Sequence, residues 1–342
     1  MMERGRARRW LLRRAGRIRS LPTSVFGHDF PNPVGLAAGM DKRADALLAW
    51  QELGFGWMEY GGITGEPQSG NPRPRMFRAG GQRALVNRMG FNNPGCDAAA
   101  ESLAMRRSRG AWPAVPVAAN LGRSKAVSNE NADSDYSRSL SALWPHADLF
   151  VINVSSPNTP ELRELQSTGS LSHLLTSVLT TGRRLATDAG TEVKPLLIKI
   201  APDLPDDSIR SICDTAMRAG IAGIVATNTT TVRPRADSRS AARTFGEAGG
   251  LSGRPLQERA NEVCRIIHQH TDGVLPIVGV GGIDSGEAAW QRIAAGACLL
   301  QIYTGLIFEG ADLAGRIVDH LNRRLAERGM ASIADAVGCE TS

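Results

Sequence analysis

Eight short apolar runs, each followed by a helical stretch, most limit the folds open to this chain of 342 residues. From about residue 31 onward they read PVGLAAG, GWMEYGGIT, PVAANLG, LFVINVS, PLLIKIA, GIVATNT, PIVGVGGI and LLQIYTG. Most are continuous and rich in Val and Ile, as in parallel strands covered on both faces. Amphipathic segments at 42–53, 134–146, 205–219, 255–270 and 285–295 alternate with them. A βα unit repeated eight times predicts an α/β fold, a (β/α)8 TIM barrel. One barrel of ~250 residues with extensions accommodates the whole length.

Two segments depart from a plain barrel. Residues 65–93 and 230–254 are too long and too rich in Gly, Pro and Arg for simple βα turns. Long loops inside a compact domain serve as lids or binding loops, and both leave the C-terminal ends of strands, where barrel enzymes do their chemistry.

The polar residues collect at the same ends. Strand one runs into Lys42, strand three carries Asn120, and strand four ends in Asn153, Ser155, Ser156 and Asn158. Strand five contains Lys199, and strand six ends Thr227, Asn228, Thr229. A single Asn is as well explained as a turn or helix-cap residue. Four on one rim point instead to a planar ligand with alternating donors and acceptors, such as a pyrimidine. The glycines after strands seven and eight fall where barrels bind phosphate through backbone N–H groups. Lysine usage points the same way: of 40 basic residues only Lys42, Lys125, Lys194 and Lys199 are lysine, and two of these are at strand ends.

What is missing narrows the chemistry. No strand end carries a His or an acidic pair, which argues against triad hydrolysis and glycosidase chemistry. A hydroxyl, two lysines and amides can support proton abstraction beside a carbonyl while a flavin takes the hydride. The five cysteines are odd in number and widely spaced, so neither a disulfide framework nor a zinc site is expected. His268 and His270 are two apart on a predicted helix and point to different faces, so no metal is expected. The net charge of +6 is local: the first twenty residues hold eight Arg and one Glu, and the remainder carries −1. Nucleic acid is therefore not an expected partner. No apolar run reaches the ~18 residues of a membrane span.

Together, GLAAGMDK, VNRMGFNN, NVSSPNTP, IKIAPDL, ATNTT, GGLSGRPL and VGVGGIDS…AGACLLQIYTG resemble the dihydroorotate dehydrogenases, in their quinone-linked class 2 branch, across residues 22 to 325. The resemblance implies oxidation of (S)-dihydroorotate to orotate in de novo pyrimidine synthesis, with FMN as cofactor. Ser156 would be the base for the C5 proton, and Thr159 would relay that proton outward. Orotate would be held by Lys42, by the run Asn87, Arg88, Met89, Gly90 and Phe91, and by Asn153, Asn158, Asn228 and Thr229. The flavin would meet Ala38, Gly39, Met40, Asp41, Lys42 and Gly62, then Asn120, Asn153, Lys199 and Thr227. Its phosphate would rest on Ser252, Gly253, Gly282, Tyr303 and Thr304. The chain departs from the family pattern at Gly62, usually Ser or Thr, at Gly65 and Glu66, at Met40, and at Glu161, usually Gly.

The same resemblance implies two parts: residues 1–21 as a basic amphipathic extension and 22–342 as the FMN-binding barrel. On a helix Ala7, Leu11, Ala15 and Ile18 share a face, and Arg6, Arg9, Arg13 and Arg17 line another, an arrangement suited to anionic lipid. A flexible basic tail or the remnant of a targeting segment is the competing account. Expected partners are ubiquinone or menaquinone, near Arg78 and Tyr303, and a peripheral contact with the cytoplasmic side of the cell membrane. A monomer is expected. The rivals are another FMN-barrel pyrimidine reductase, the same dehydrogenase with a different acceptor, a non-redox phosphate-binding barrel, or a barrel that only binds membrane.

Overall fold

The structure, a computed structural model, describes residues 19–341. The proposed basic helix lies, through residue 18, outside the described residues. The described chain enters through an antiparallel hairpin, Thr23–Val25 with His28–Phe30. Phe26 and Gly27 turn it, both at positive φ, which matches the twist of the paired strands.

Eight parallel strands then close a barrel: β1 (Val34–Leu36), β2 (Trp57–Ile63), β3 (Val117–Gly122), β4 (Leu149–Asn153), β5 (Leu196–Ile200), β6 (Gly223–Ala226), β7 (Ile277–Val280) and β8 (Ala297–Ile302). Neighbours pair in chain order and β8 returns to β1, so no edge is left open. Seven of the eight predicted runs contain one of these strands, and the eighth, 299–305, overlaps β8, which starts two residues earlier.

Alternation along the strands sorts the side chains, because successive residues face opposite sides. Outward residues such as Met58, Leu121, Ile152, Ile198 and Leu300 join the large core beneath the helices. The 22-residue helix Thr168–Ala189 shows the other half of that core, burying Leu171, Leu174, Leu175, Val178 and Leu179 at three- and four-residue spacing. Each such side chain contributes about 1.5–3 kcal/mol on burial. Inward, the lower layers are apolar: Trp57, Leu149, Val151, Leu197, Val225 and Leu299 form one cluster, plugged from below by Phe30 of the hairpin.

The next inward positions, toward the strand C-termini, change character. They are Glu59, Asn120, Asn153, Lys199, Thr227 and Gln301, none more than 5% exposed. The barrel is thus packed with hydrocarbon at one end and with polar groups at the other.

The two long segments prove to be one ordered cap. Met76–Ala79 and Ala84–Asn87, from the loop after β2, pair with Gly250–Gly253, from the loop after β6, in a three-stranded antiparallel sheet. The helix Arg239–Phe245, whose N-terminus is capped by Ser238 Oγ accepting from Ala241 N at 3.1 Å, packs Ala241 and Phe245 against this sheet. Two loops far apart in the chain, after β2 and after β6, therefore share one small core above the barrel mouth.

Candidate active site

Between cap and barrel lies a cleft with about 990 Å³ of empty space, counting the solvent at its mouth. Lys42 and Lys199 line it, and among the described residues no aspartate or glutamate does. Such a cleft favours an anionic ligand.

Its floor is a directed chain of side chains. The buried Glu59 carboxylate accepts from Asn120 Nδ2 at 2.5 Å and from Gln301 Nε2. Asn120 Oδ1 accepts from Asn153 Nδ2 at 3.0 Å. Asn153 Oδ1 in turn accepts from Ser155 Oγ at 2.9 Å and from Asn228 Nδ2 at 3.3 Å. Asn120 and Gln301 both turn their amide nitrogens to Glu59, which leaves Asn120 Oδ1 for Asn153 and so sets the direction of the row. Glu59 and Gln301 were not among the sequence candidates. Their signal was an acid and an amide inside otherwise apolar strands, at positions whose alternation points inward.

Ser156 is 7% exposed and stands where β4 gives way to its loop. Its Oγ accepts from the Asn158 backbone N–H at 3.2 Å. Among the described residues no histidine or carboxylate hydrogen-bonds to this hydroxyl. Thr159 is buried nearby in the chain at 6% exposure but does not line the cleft. The loop is anchored by Arg163, also absent from the candidates, which donates to the Ser155 carbonyl at 3.1 Å and the Thr229 carbonyl at 3.0 Å. It also pairs with Asp203 at 2.8 Å, so one guanidinium ties the ends of β4, β5 and β6 together.

Across the cleft, Lys42 donates to Asn92 Oδ1 at 2.6 Å. Burial, reinforced by the nearby Arg75 charge, lowers its pKa to about 8. Asn87 Oδ1 accepts from Asn158 Nδ2 at 3.2 Å, joining the cap to the Ser156 loop. Met89, Gly90 and Phe91 line the cleft with it.

Other candidates lie outside the lining. Arg88 turns away to pair with Glu247 at 2.6 Å and stack on Phe77. Asp41 points down the chain: its carboxylate accepts from the Asp45 and Ala46 backbone N–H groups, both at 2.8 Å, and from Trp50 Nε1 at 3.2 Å, which fixes the turn that presents Lys42. Met40 packs against the large core.

The opposite end of the cleft is backbone and small side chains. Gly253, Gly281, Gly282, Ser252, Tyr303 and Thr304 line it, and Ser252 Oγ lies 2.8 Å from Thr304 Oγ1. Burial raises the Tyr303 phenol above its ordinary pKa and keeps it protonated. Gly282 has φ +74°, and a Cβ there would stand 2.6 Å from Gln257 Cα at the start of the helix Gln257–His270. That helix start and the glycine turn are therefore in contact. Ala38, Gly39, Thr227, Asn158 and Thr229 also line the cleft. Gly62 lines it too, but a Cβ there would meet the Phe91 ring at 2.8 Å. Arg78 is exposed beyond the cleft, stacked 5.1 Å above Phe308.

Of the other departures, Glu66 pairs with Arg138 and Gly65 lies against Asp135, away from the lining. Glu161 sits at φ 59°, in the region where glycine is at ease, just after the Ser156 loop.

Comparison with known proteins agrees with this geometry. The dihydroorotate dehydrogenase family pattern matches residues 20–325. A protein of Rhodococcus opacus described as dihydroorotate dehydrogenase (quinone) is 48% identical over 318 residues, covering 93% of this chain and 85% of the relative. One from Gloeobacter violaceus with the same description is 48% identical over 322 residues, 94% of this chain and 86% of its own. Among solved structures, DHODH from Eimeria tenella in complex with ferulenol superposes with a TM-score of 0.87 at 36% identity, covering 94% of this chain and 88% of that one. With the family pattern spanning most of its length and its eight strands closed around the lysine- and amide-lined cleft, the chain belongs to the dihydroorotate dehydrogenase family, in the quinone-linked branch.

Proposed function

We propose that the chain oxidises (S)-dihydroorotate to orotate with bound FMN and delivers the electrons to a quinone, in de novo pyrimidine synthesis. The observation that carries this reading is the convergence of Lys42, Asn87, Asn153, Asn158 and Asn228 around Ser156 in one acid-free cleft. A planar anion with amide edges finds donors and acceptors there, and a carboxylate finds Lys42.

The residues fit an FMN as well. The Gly281–Gly282 turn, where a Cβ at Gly282 would collide with Gln257, leaves backbone N–H groups for a phosphate, with Ser252 and Thr304 hydroxyls beside it. Asn120, Asn153, Lys199 and Thr227 would hold the ring system. Bound there, the flavin supplies the hydride acceptor.

The protein's own part is proton handling and orientation. Ser156 takes the proton from C5 of the substrate, and Thr159 passes it toward solvent. A serine hydroxyl is a weak base, so burial of the site and a defined proton path must supply much of the help. The amide row descending from Glu59 fixes the donor and acceptor pattern presented to substrate and flavin. Lys42 neutralises the substrate carboxylate. Lys199, buried at 5% exposure, places positive charge where electron density arrives on reduction. The segment through residue 21 would attach the protein to the membrane from the cytoplasmic side and bring Arg78 and Tyr303 to the quinone. The barrel, from residue 22, would act as a monomer.

The test is anaerobic mixing of the purified yellow protein with dihydroorotate, wild type beside Ser156→Ala, followed by a ubiquinone analogue. Rapid bleaching in wild type, bleaching slowed by orders of magnitude in the variant, and recovery of colour with quinone are the expected outcome. No bleaching in a flavin-loaded wild type would sink the substrate assignment. Bleaching without reoxidation by quinone would sink the acceptor alone.

A further inference from the structure

Arg292 is the one arginine among the largest fully buried side chains, at 0% exposure, on the helix Gly286–Ala294 behind the glycine turn. Burying a cation is expensive unless a carboxylate pairs with it. Among the described residues none lies within ion-pair distance. Its Nε instead donates to Asn261 Oδ1 at 2.6 Å, and Nη2 donates to the Gly281 carbonyl at 2.8 Å and more weakly to the Gln257 carbonyl at 3.3 Å. Nη1 is buried without any partner. The acid nearest in sequence to the turn, Asp284, is already engaged by Arg254 at 2.8 Å and Arg83 at 3.4 Å. A full positive charge is thus enclosed with no carboxylate partner among the described residues, and the Arg265 charge nearby adds to it rather than offsetting it.

The fold makes room for it deliberately. A Cβ at Gly279, on β7, would stand 2.4 Å from Arg292 Cγ, so the aliphatic stem runs directly over that strand. Two of the carbonyls it holds flank the cleft: Gly281 belongs to the turn itself, and Gln257 opens the helix that touches Gly282. Pulling the Gly281 carbonyl back toward the helix fixes the orientation of the following peptide, whose N–H belongs to Gly282.

We propose that Arg292 is a positioning residue for the flavin phosphate: it locks the Gly281–Gly282 turn from behind and supplies the buried countercharge that a phosphate dianion balances. The inference rests on FMN being the occupant of the cleft. It differs from the role of Ser252, Gly282 and Thr304, which would touch the phosphate themselves. The charge stays silent toward any ligand lacking a phosphate.

That selectivity is the test. The full-length protein, stripped of flavin, is titrated with FMN and with riboflavin by fluorescence quenching, as wild type, Arg292→Met and Arg292→Lys. The expected result is a loss of FMN affinity of tenfold or more in Arg292→Met, with riboflavin affinity changed less than twofold, and most FMN affinity retained in Arg292→Lys. If the methionine variant does not accumulate folded, Arg292→Gln replaces it, keeping a donor for the Gly281 carbonyl without the charge, and the same selective loss is expected. Equal losses for both flavins, or no loss for either, overturn the role of Arg292. Failure of the wild type to bind either flavin overturns the FMN reading itself.

Discussion

Around Ser156 the cleft is made of side chains bonded to one another; around Gly282, at its opposite end, glycine backbone takes a larger share, beside Ser252, Tyr303 and Thr304. At the first end Asn153 and Asn228 take orientations that follow from Glu59 through Asn120, Asn87 and Asn158 fix each other, and Arg163 holds the loop from behind. At the second, the missing Cβ atoms let a helix start and a turn close on each other, with Arg292 enforcing the turn. The lesson is that discrimination between similar molecules needs side-chain donors and acceptors in a set pattern. Gripping a phosphate needs only N–H groups and space. Substitutions at the two ends should therefore separate chemistry from cofactor retention.

The largest separation is expected at Ser156. Removing the hydroxyl in Ser156→Ala should slow flavin bleaching by ~10²–10⁴-fold, the usual worth of a positioned base, with FMN content unchanged. Stopped-flow absorbance on the flavin-loaded variant measures both. Loss of FMN alongside the rate would show that the two ends are not independent.

Next is Lys42. Truncating a buried charge partner costs about 2–5 kcal/mol, so Lys42→Met should lower kcat/KM for dihydroorotate by at least ~30-fold. The lysine also gives a pH signature. Its pKa in the folded protein is about 8, so the ammonium is lost as pH rises through that value. The kcat/KM of the wild type should fall above pH ~8, whereas kcat at saturating substrate should not follow, because bound carboxylate restores the proton. A pH profile of kcat/KM that stays flat to pH 9.5 would detach Lys42 from the substrate.

Gly282→Ala tests the other end. The added Cβ meets the backbone of Gln257, and overpacking of this kind costs about 1–3 kcal/mol. FMN should bind ~10–100-fold more weakly by fluorescence titration, while the bleaching rate of the loaded fraction stays near wild type. A slowed rate at full loading would mean the glycine turn also sets the reaction geometry.

The smallest effect lies at Glu161, in the left-handed region beside the Ser156 loop. Glu161→Gly should stabilise the protein by about 0.5–1 kcal/mol, the strain relief being partly offset by a freer unfolded chain. Urea denaturation reads this directly. Destabilisation would show that the Glu161 side chain does more for the loop than its backbone costs.

Much of this was legible in the chain before folding, and unevenly so. The eight strands could be read because parallel strands buried on both faces must be apolar throughout, and the helices because their apolar stripes repeat at 3.6 residues. Lys42, Ser156, Asn153 and Asn228 stood out as polar residues ending apolar runs, and all four line the cleft. Arg88 and Asp41, which only the family resemblance implied, turn elsewhere, to Glu247 and to the turn leading into the next helix. Nothing within a few residues of either states where its partner will be.

Local periodicity and backbone chemistry thus determined by themselves the element types and the barrel, because these follow from neighbours in the chain. Only the closed barrel decided the rest. It set Glu59 against Gln301, 242 residues away, and paired the two loops into a cap. It also sealed Arg292 behind the glycine turn without a carboxylate. Such pairings depend on the register in which distant segments meet, and burial then makes them binding, since a polar group out of water must take the partner that the packing supplies.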